Sequence, residues 1–116
     1  LTQLELLVNS VSTSGKTRLG VYADNNGSPG ALLLDAGEAP LTTGWVTITN
    51  LNLPVTANSY YWLANIQNVQ TVLPYRTAAS ASNRWGSRTY GPLPATFPST
   101  LSSSPDQYVM RATVSK

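Results

Sequence analysis

The sequence contains no cysteine and no histidine, and its only two lysines are Lys16 and Lys116. Without cysteine there is neither a disulfide nor a thiolate-held metal. Without histidine the commonest general base and the commonest transition-metal ligand are both missing. Charged residues make up 10% of the chain, against about a quarter in ordinary soluble domains. Net charge is +2, carried by scattered residues rather than by a basic cluster. A nucleic-acid face needs several Lys and Arg side chains on one surface to neutralise phosphates, so nucleic acid is not an expected partner. No stretch reaches the roughly 18 apolar residues of a membrane-spanning helix. No secretory leader pattern is present, and the chain opens at Leu1 directly into a strand-like run. The expectation is a single module over residues 1–116, cut from a longer processed protein and attached there to adjoining domains.

Carboxylates are also scarce: Glu5, Asp24, Asp35, Glu38 and Asp106. A glycosidase needs two of them facing each other across a cleft. Asp35 and Glu38 are close in sequence but read as solvated carboxylates where a strand runs out into "EAPL". The motifs of serine hydrolases, phosphate-binding loops and dinucleotide sites are missing. No catalytic residues are assigned, and the chain does not read as an enzyme. Asp24, Asn26 and Ser28 have a spacing similar to the start of a calcium loop. Pro29 stands where such a loop needs glycine, and no glutamate closes it. The plainer reading is a hairpin turn in which Asp24 and Asn25 bond backbone amides. Structural calcium near Asp24 and Asn26 is the one cofactor suggestion, and otherwise none is expected.

What the sequence has in quantity is Ser, Thr, Asn, Gly and Pro, with 41% hydrophobic residues that include three Trp and six Tyr. That balance is typical of extracellular β-modules. Leu4, Leu6 and Val8 alternate in "LTQLELLV", and Leu19, Val21 and Ala23 alternate against Arg18, Gly20 and Tyr22. "NNGSPG" is a turn signal, because Asn-Gly accepts positive φ and Pro-Gly suits a tight turn. "ALLLDAG" sets Leu32 and Leu34 against Leu33, and "GWVTITNLNL" sets Val46 and Ile48 against Thr47 and Thr49. In "SYYWLANI", Tyr60 and Trp62 read as core, with Tyr61 and also Tyr22 on an outer face. "VQTVLPY" carries Pro74 and is an edge strand or ends there. "DQYVMRATVS" alternates Tyr108, Met110, Ala112 and Val114 with Val109, Arg111 and Thr113. No segment of ten residues keeps a helical period. The expected fold is all-β, an antiparallel sandwich of jelly-roll type with seven or eight strands.

Residues 77–105 form one long segment rich in Ser, Ala, Gly and Pro, with room for one short strand around Trp85 to Tyr90. Irregular segments of that length in a small domain usually carry function. Inside it, "RWGSRTYGPLPATFP" places Arg84, Trp85, Arg88 and Tyr90 together, preceded by Asn83, Tyr75 and Arg76. The apolar face of a pyranose docks on a flat aromatic ring, while its hydroxyls need planar donors and acceptors such as Arg and Asn. Asn83, Arg84, Trp85, Arg88, Tyr90, Tyr75 and Arg76 are therefore the candidate ligand-binding residues. The competing reading has Trp85 or Tyr90, together with Phe97, plugging the end of the sandwich while the arginines are solvated. Trp45 reads as packing at a sheet edge, with a sheet-face site as its alternative.

The run "RLGVYADNNGSPGALLLDAG", then "GWVTI", "YYWLANI" and "YGPLPATFPS", resembles a β-sandwich domain of exported bacterial proteins and bacteriophage tail proteins. The likeness covers the chain from Arg18 to its end. It implies a fold similar to that of carbohydrate-binding modules, with a further strand ahead of Leu1, and it supplies no binding residues of its own. The function it implies is a non-catalytic module holding a secreted multidomain protein, such as a glycoside hydrolase, on a polysaccharide. The alternative is a structural, assembly or receptor-binding module of a phage tail or surface filament. Either places the chain outside the cell or on a virion surface.

Overall fold

The computed structural model describes residues 1–11, 13–69, 71–73, 75–77, 83–85, 90–97, 102–104 and 106–115. These residues form an all-β fold whose strands are β1 (Gln3–Val8), β2 (Ser10–Val11), β3 (Lys16–Asn25), β4 (Ser28–Pro40), β5 (Gly44–Ile48), β6 (Tyr61–Gln67), β7 (Thr71–Val72), β8 (Tyr75–Thr77), β9 (Asn83–Trp85), β10 (Ser102–Ser104), β11 (Asp106–Tyr108) and β12 (Met110–Thr113). Counting runs that continue one another as single strands gives about seven. Two three-stranded antiparallel sheets are packed together, ordered β12-β1-β5 and β4-β3-β6. A jelly-roll winding is not demonstrated by these orders. Among the described residues, no helix is long and apolar enough to cross a membrane.

The alternation in β1 is what builds the core. Leu4, Leu6 and Val8 turn inward and are fully or nearly fully buried, beside Val46 of β5 and opposite Leu19 and Val21 of β3. Leu1 and Leu41 complete the buried cluster, and Leu34, Leu63 and Met110 pack against it. Truncating any one of the fully buried leucines to alanine costs about 2–5 kcal/mol, since the void does not refill. One end of the sandwich interior is polar. Thr17 donates its hydroxyl to the Ile66 carbonyl at 3.1 Å, and Gln67 donates to Thr17 Oγ1 at 3.0 Å and to Asn65 Oδ1 at 2.9 Å. Those bonds meet the need of the buried Thr17 hydroxyl for partners.

The hairpin between β3 and β4 turns at Asn26 and Gly27, whose φ angles are 52° and 89°. Two successive positive φ values suit the right-handed strand twist and explain the Asn-Gly pair. Pro29 and Gly30, expected to turn as well, instead belong to β4. Register shifts along β3 and β4 separate Leu32 from Leu34: Leu34 faces Val21, Leu32 faces Tyr22, and Leu33 is left between them, 41% exposed.

The aromatic strand differs from the sequence reading by one residue. β6 starts at Tyr61, and its register pairs Tyr61 with Ala23, Trp62 with Tyr22, and Leu63 with Val21. Tyr61 and Leu63 consequently face the core, Trp62 lies on the outer face, and Tyr60 precedes the strand at 81% exposure. A shift of one position in a strand moves every side chain to the opposite face. Tyr22 does lie on the outer face, as expected, yet it is fully buried.

Residues 90–97 are what cover it. Tyr22 donates its hydroxyl to the Pro94 carbonyl at 2.7 Å, and the Phe97 ring meets the Tyr22 ring edge-on at 5.1 Å. Leu32 N donates to Ala95 O at 2.8 Å and Phe97 N to Gly30 O at 2.9 Å, so this strap also runs beside β4. The Leu93 side chain lies over Gly20, where a Cβ would collide with it and would sit 2.7 Å from the Leu34 carbonyl. The strap thus lies along one sheet's outer face rather than plugging the end of the sandwich.

Candidate functional site

The charged residues of the β4-β3 sheet are used to fasten the strap. Asp35 accepts from Arg18 Nη1 at 3.2 Å, from Gly37 N at 2.9 Å and from Leu93 N at 3.1 Å. Glu38 accepts from Lys16 Nζ at 3.2 Å and from the Tyr90 hydroxyl at 2.8 Å. The Tyr90 bond, then Lys16, holds the Glu38 carboxyl below the ordinary range, while burial and then the same bond push the Tyr90 phenol up. Asp35 and Glu38 are therefore anchors for residues 90–97, not the freely solvated carboxylates expected from their position. Asp24 accepts from Gly27 N at 3.3 Å, as the hairpin reading expects, and also from Trp62 Nε1 at 2.9 Å. Among the described residues no group of three carboxylate, His or Cys side chains could hold a metal ion.

The seven residues singled out from the sequence divide into two places. Tyr75 and Arg76 lie on β8, opposite Tyr108 and Gln107 of β11. Asn83, Arg84 and Trp85 lie on β9, opposite Ser104, Ser103 and Ser102 of β10. Both ladders are antiparallel and join the same two stretches of chain, so these five residues follow one another along one pair of segments. Trp85 is on β9, and residues 86–89 of the strand expected around Trp85 to Tyr90 lie outside the described residues. Tyr90 is elsewhere, bonded to Glu38 on the strap. Arg88 lies outside the described residues.

A second aromatic and charged group, of which the sequence offered only Trp45 as an alternative sheet-face site, lies on the outer face of the β12-β1-β5 sheet. Glu5 is in register with Arg111 on one side and Thr47 on the other, and Leu7 is in register with Trp45. Arg111 donates from Nε to Glu5 Oε1 at 2.6 Å and from Nη2 to Glu5 Oε2 at 3.2 Å. Thr47 donates its hydroxyl to Glu5 Oε2 at 2.9 Å. The Arg111 guanidinium then lies over the Trp45 ring, 3.7 Å from its centroid. Trp45 is 38% exposed, which makes it an open aromatic on a sheet face.

This arrangement is layered. The Glu5 side chain is 9% exposed and the Arg111 side chain 55%, so the carboxylate sits low and the guanidinium lies above it. Hydrogen bonding from Arg111 is the main reason that the Glu5 pKa falls from 4.5 to about 2. Glu5 in turn raises the Arg111 pKa. A carboxyl ionised down to that pH is a poor proton donor near neutrality. What the group presents is a set of hydrogen-bond donors and an aromatic ring. A guanidinium has five N–H donors in a rigid plane, and two are spent on Glu5. Fixed by its salt bridge and by the indole beneath, it is ordered before any ligand arrives.

No family model matches this chain, and neither does any curated protein or solved structure. The site is therefore read from its own chemistry. Alternation alone puts Glu5, Trp45, Thr47 and Arg111 opposite the inward residues Leu4, Leu6, Val46, Ile48 and Met110. That signal marks an outer face; the grouping itself depends on register between strands some 106 residues apart.

Proposed function

We propose that this domain is a non-catalytic carbohydrate-binding module that holds a secreted multidomain protein on a polysaccharide. The observation that carries the reading is the exposed Trp45 ring beneath the clamped Arg111 guanidinium. The guanidinium covers one face of the indole, and the part of the ring left exposed around it is an apolar surface bordered by N–H donors. A pyranose has the matching pattern: a face of C–H bonds for the exposed indole, and ring hydroxyls that accept from the remaining guanidinium N–H groups. Both protein groups are held in place, so little side-chain entropy is lost on binding. The resemblance to β-sandwich domains of exported proteins, the low charge and the Ser/Thr-rich composition support the same reading and an extracellular setting. Asn83, Arg84 and Trp85 remain candidates for a second contact along the β9 segment.

Affinity electrophoresis through gels containing β-linked plant or cell-wall polysaccharides tests it. The expected result is retardation of the wild type that Trp45→Ala abolishes, with the melting temperature lowered by only a few degrees because the ring is partly in water. Trp85→Ala, run beside it, shows whether β9 adds to the contact. A glycan array blank across plant, chitin and bacterial wall sugars overturns the reading. Sedimentation showing self-association that Trp45→Ala removes would assign this face to subunit packing in a filament or tail instead.

A further inference from the structure

We infer that Glu5 sets the charge selectivity of the Trp45–Arg111 face, restricting it to neutral glycans and turning away those that carry carboxylates; this rests on the carbohydrate-binding reading above. An isolated arginine on an exposed surface is a strong carboxylate receptor, because its planar fork matches two oxygens at once. Here one of its two bidentate edges is already filled and its charge is countered. Nε and Nη2 of Arg111 both reach the Glu5 carboxylate, and Thr47 holds that carboxylate from the other side. A uronic-acid carboxylate approaching Arg111 would have to share the guanidinium with Glu5 and accept repulsion from it at close range.

The rest of the face does not alter that balance. Glu5 and Arg111 are the only charged residues of β1, β5 and β12, so the three strands together carry no net charge. The donors left to Arg111 therefore meet hydroxyl oxygens without an attraction for anions. Low placement of Glu5 under Arg111 matters as well. An exposed carboxylate could swing away and release the fork, whereas one at 9% exposure with three hydrogen bonds stays in place.

Glu5→Gln removes the countercharge and keeps a side chain of the same shape, whose amide oxygen accepts one Arg111 N–H while the Trp45 ring still supports the guanidinium. The test compares wild type, Glu5→Gln and Glu5→Gln/Arg111→Gln in gels containing uronate-free xylan or polygalacturonate. Wild type is expected to be retarded by xylan alone. Glu5→Gln should gain retardation by polygalacturonate on the order of tenfold, since a charge-assisted bidentate pair replaces a blocked one. Added salt should weaken that gain, and the double variant should lack it. Equal retardation of wild type by both polysaccharides overturns the inference and leaves the carbohydrate reading standing. A folded Glu5→Gln with no gain on polygalacturonate overturns it too. Failure of every form to be retarded by either gel overturns both. Wild type compared at low and high salt gives a measurement independent of the variants' folding. Retardation by xylan that salt leaves unchanged supports the inference, and retardation by polygalacturonate that salt weakens overturns it.

Discussion

The Tyr22 hydroxyl donates to the Pro94 carbonyl at 2.7 Å, joining residues 72 positions apart. Through that bond, and through Phe97 set against the same ring, a proline-rich segment becomes part of the packed structure. Tyr22 lies on the outer face of its sheet, where a tyrosine ordinarily meets water. Its complete burial shows that the domain gains a layer beyond the two sheets.

Tyr22→Phe tests how much that layer depends on the bond. The ring and its contact with Phe97 are retained, while the half-buried Pro94 carbonyl loses its donor. The expected cost is about 0.5–1.5 kcal/mol of unfolding free energy, the net worth of one such hydrogen bond. Denaturant unfolding with an unchanged slope would confirm a local effect, whereas a change within experimental error would show that the strap's backbone bonds suffice.

Acid stability should follow Glu5. Its pKa falls from 4.5 to about 2 on folding, so the unfolded chain binds the proton more tightly. The stabilisation is in full force above pH 4.5 and is lost as pH falls from there toward 2. Glu38, lowered by Tyr90 and Lys16, acts with the same sign. Melting temperatures measured across that interval should fall for the wild type and fall less steeply for Glu5→Gln. Parallel curves for the two proteins would contradict the assignment.

Gly27 gives a purely conformational prediction. Its φ is 89°, and a Cβ built there meets nothing within 4 Å. Gly27→Ala should therefore cost about 1–2 kcal/mol from backbone strain alone, with no contribution from crowding. Gly27→Asn should cost less, since Asn tolerates this region better. Thermal unfolding of the two variants side by side distinguishes them, and equal losses would point to a role for the glycine other than its backbone angle.

Local chemistry made part of the structure legible. Asn26-Gly27 turns the chain because those two residues accept positive φ, and nothing distant is needed to decide it. Leu4, Leu6 and Val8 form a core face because every second residue of a strand points the same way. Phe97 read as part of a plug for the sandwich, and it does pack on the domain, on a sheet face rather than at its end.

Aromatic positions were harder. Tyr60, Tyr61 and Trp62 are adjacent, and two opposite assignments of faces are equally periodic until the strand has a partner. Pairing of Ala23 with Tyr61 and Tyr22 with Trp62 decides between them, and it puts Tyr61 rather than Trp62 toward the core. Asp35 and Glu38 read as solvent-facing because the groups that claim them, Leu93 N and the Tyr90 hydroxyl, come from more than fifty residues away.

The sequence by itself determined an all-β domain poor in charge, the turn at Asn26-Gly27 and the inward row of β1, since each depends on neighbours in the chain. Tertiary structure alone decided which outward residues became a group. Glu5, Thr47, Trp45 and Arg111 are each unremarkable polar or aromatic positions on separate strands. The antiparallel register of β12, β1 and β5 brings them into one layered face, because cross-strand neighbours are set by pairing and not by distance along the chain.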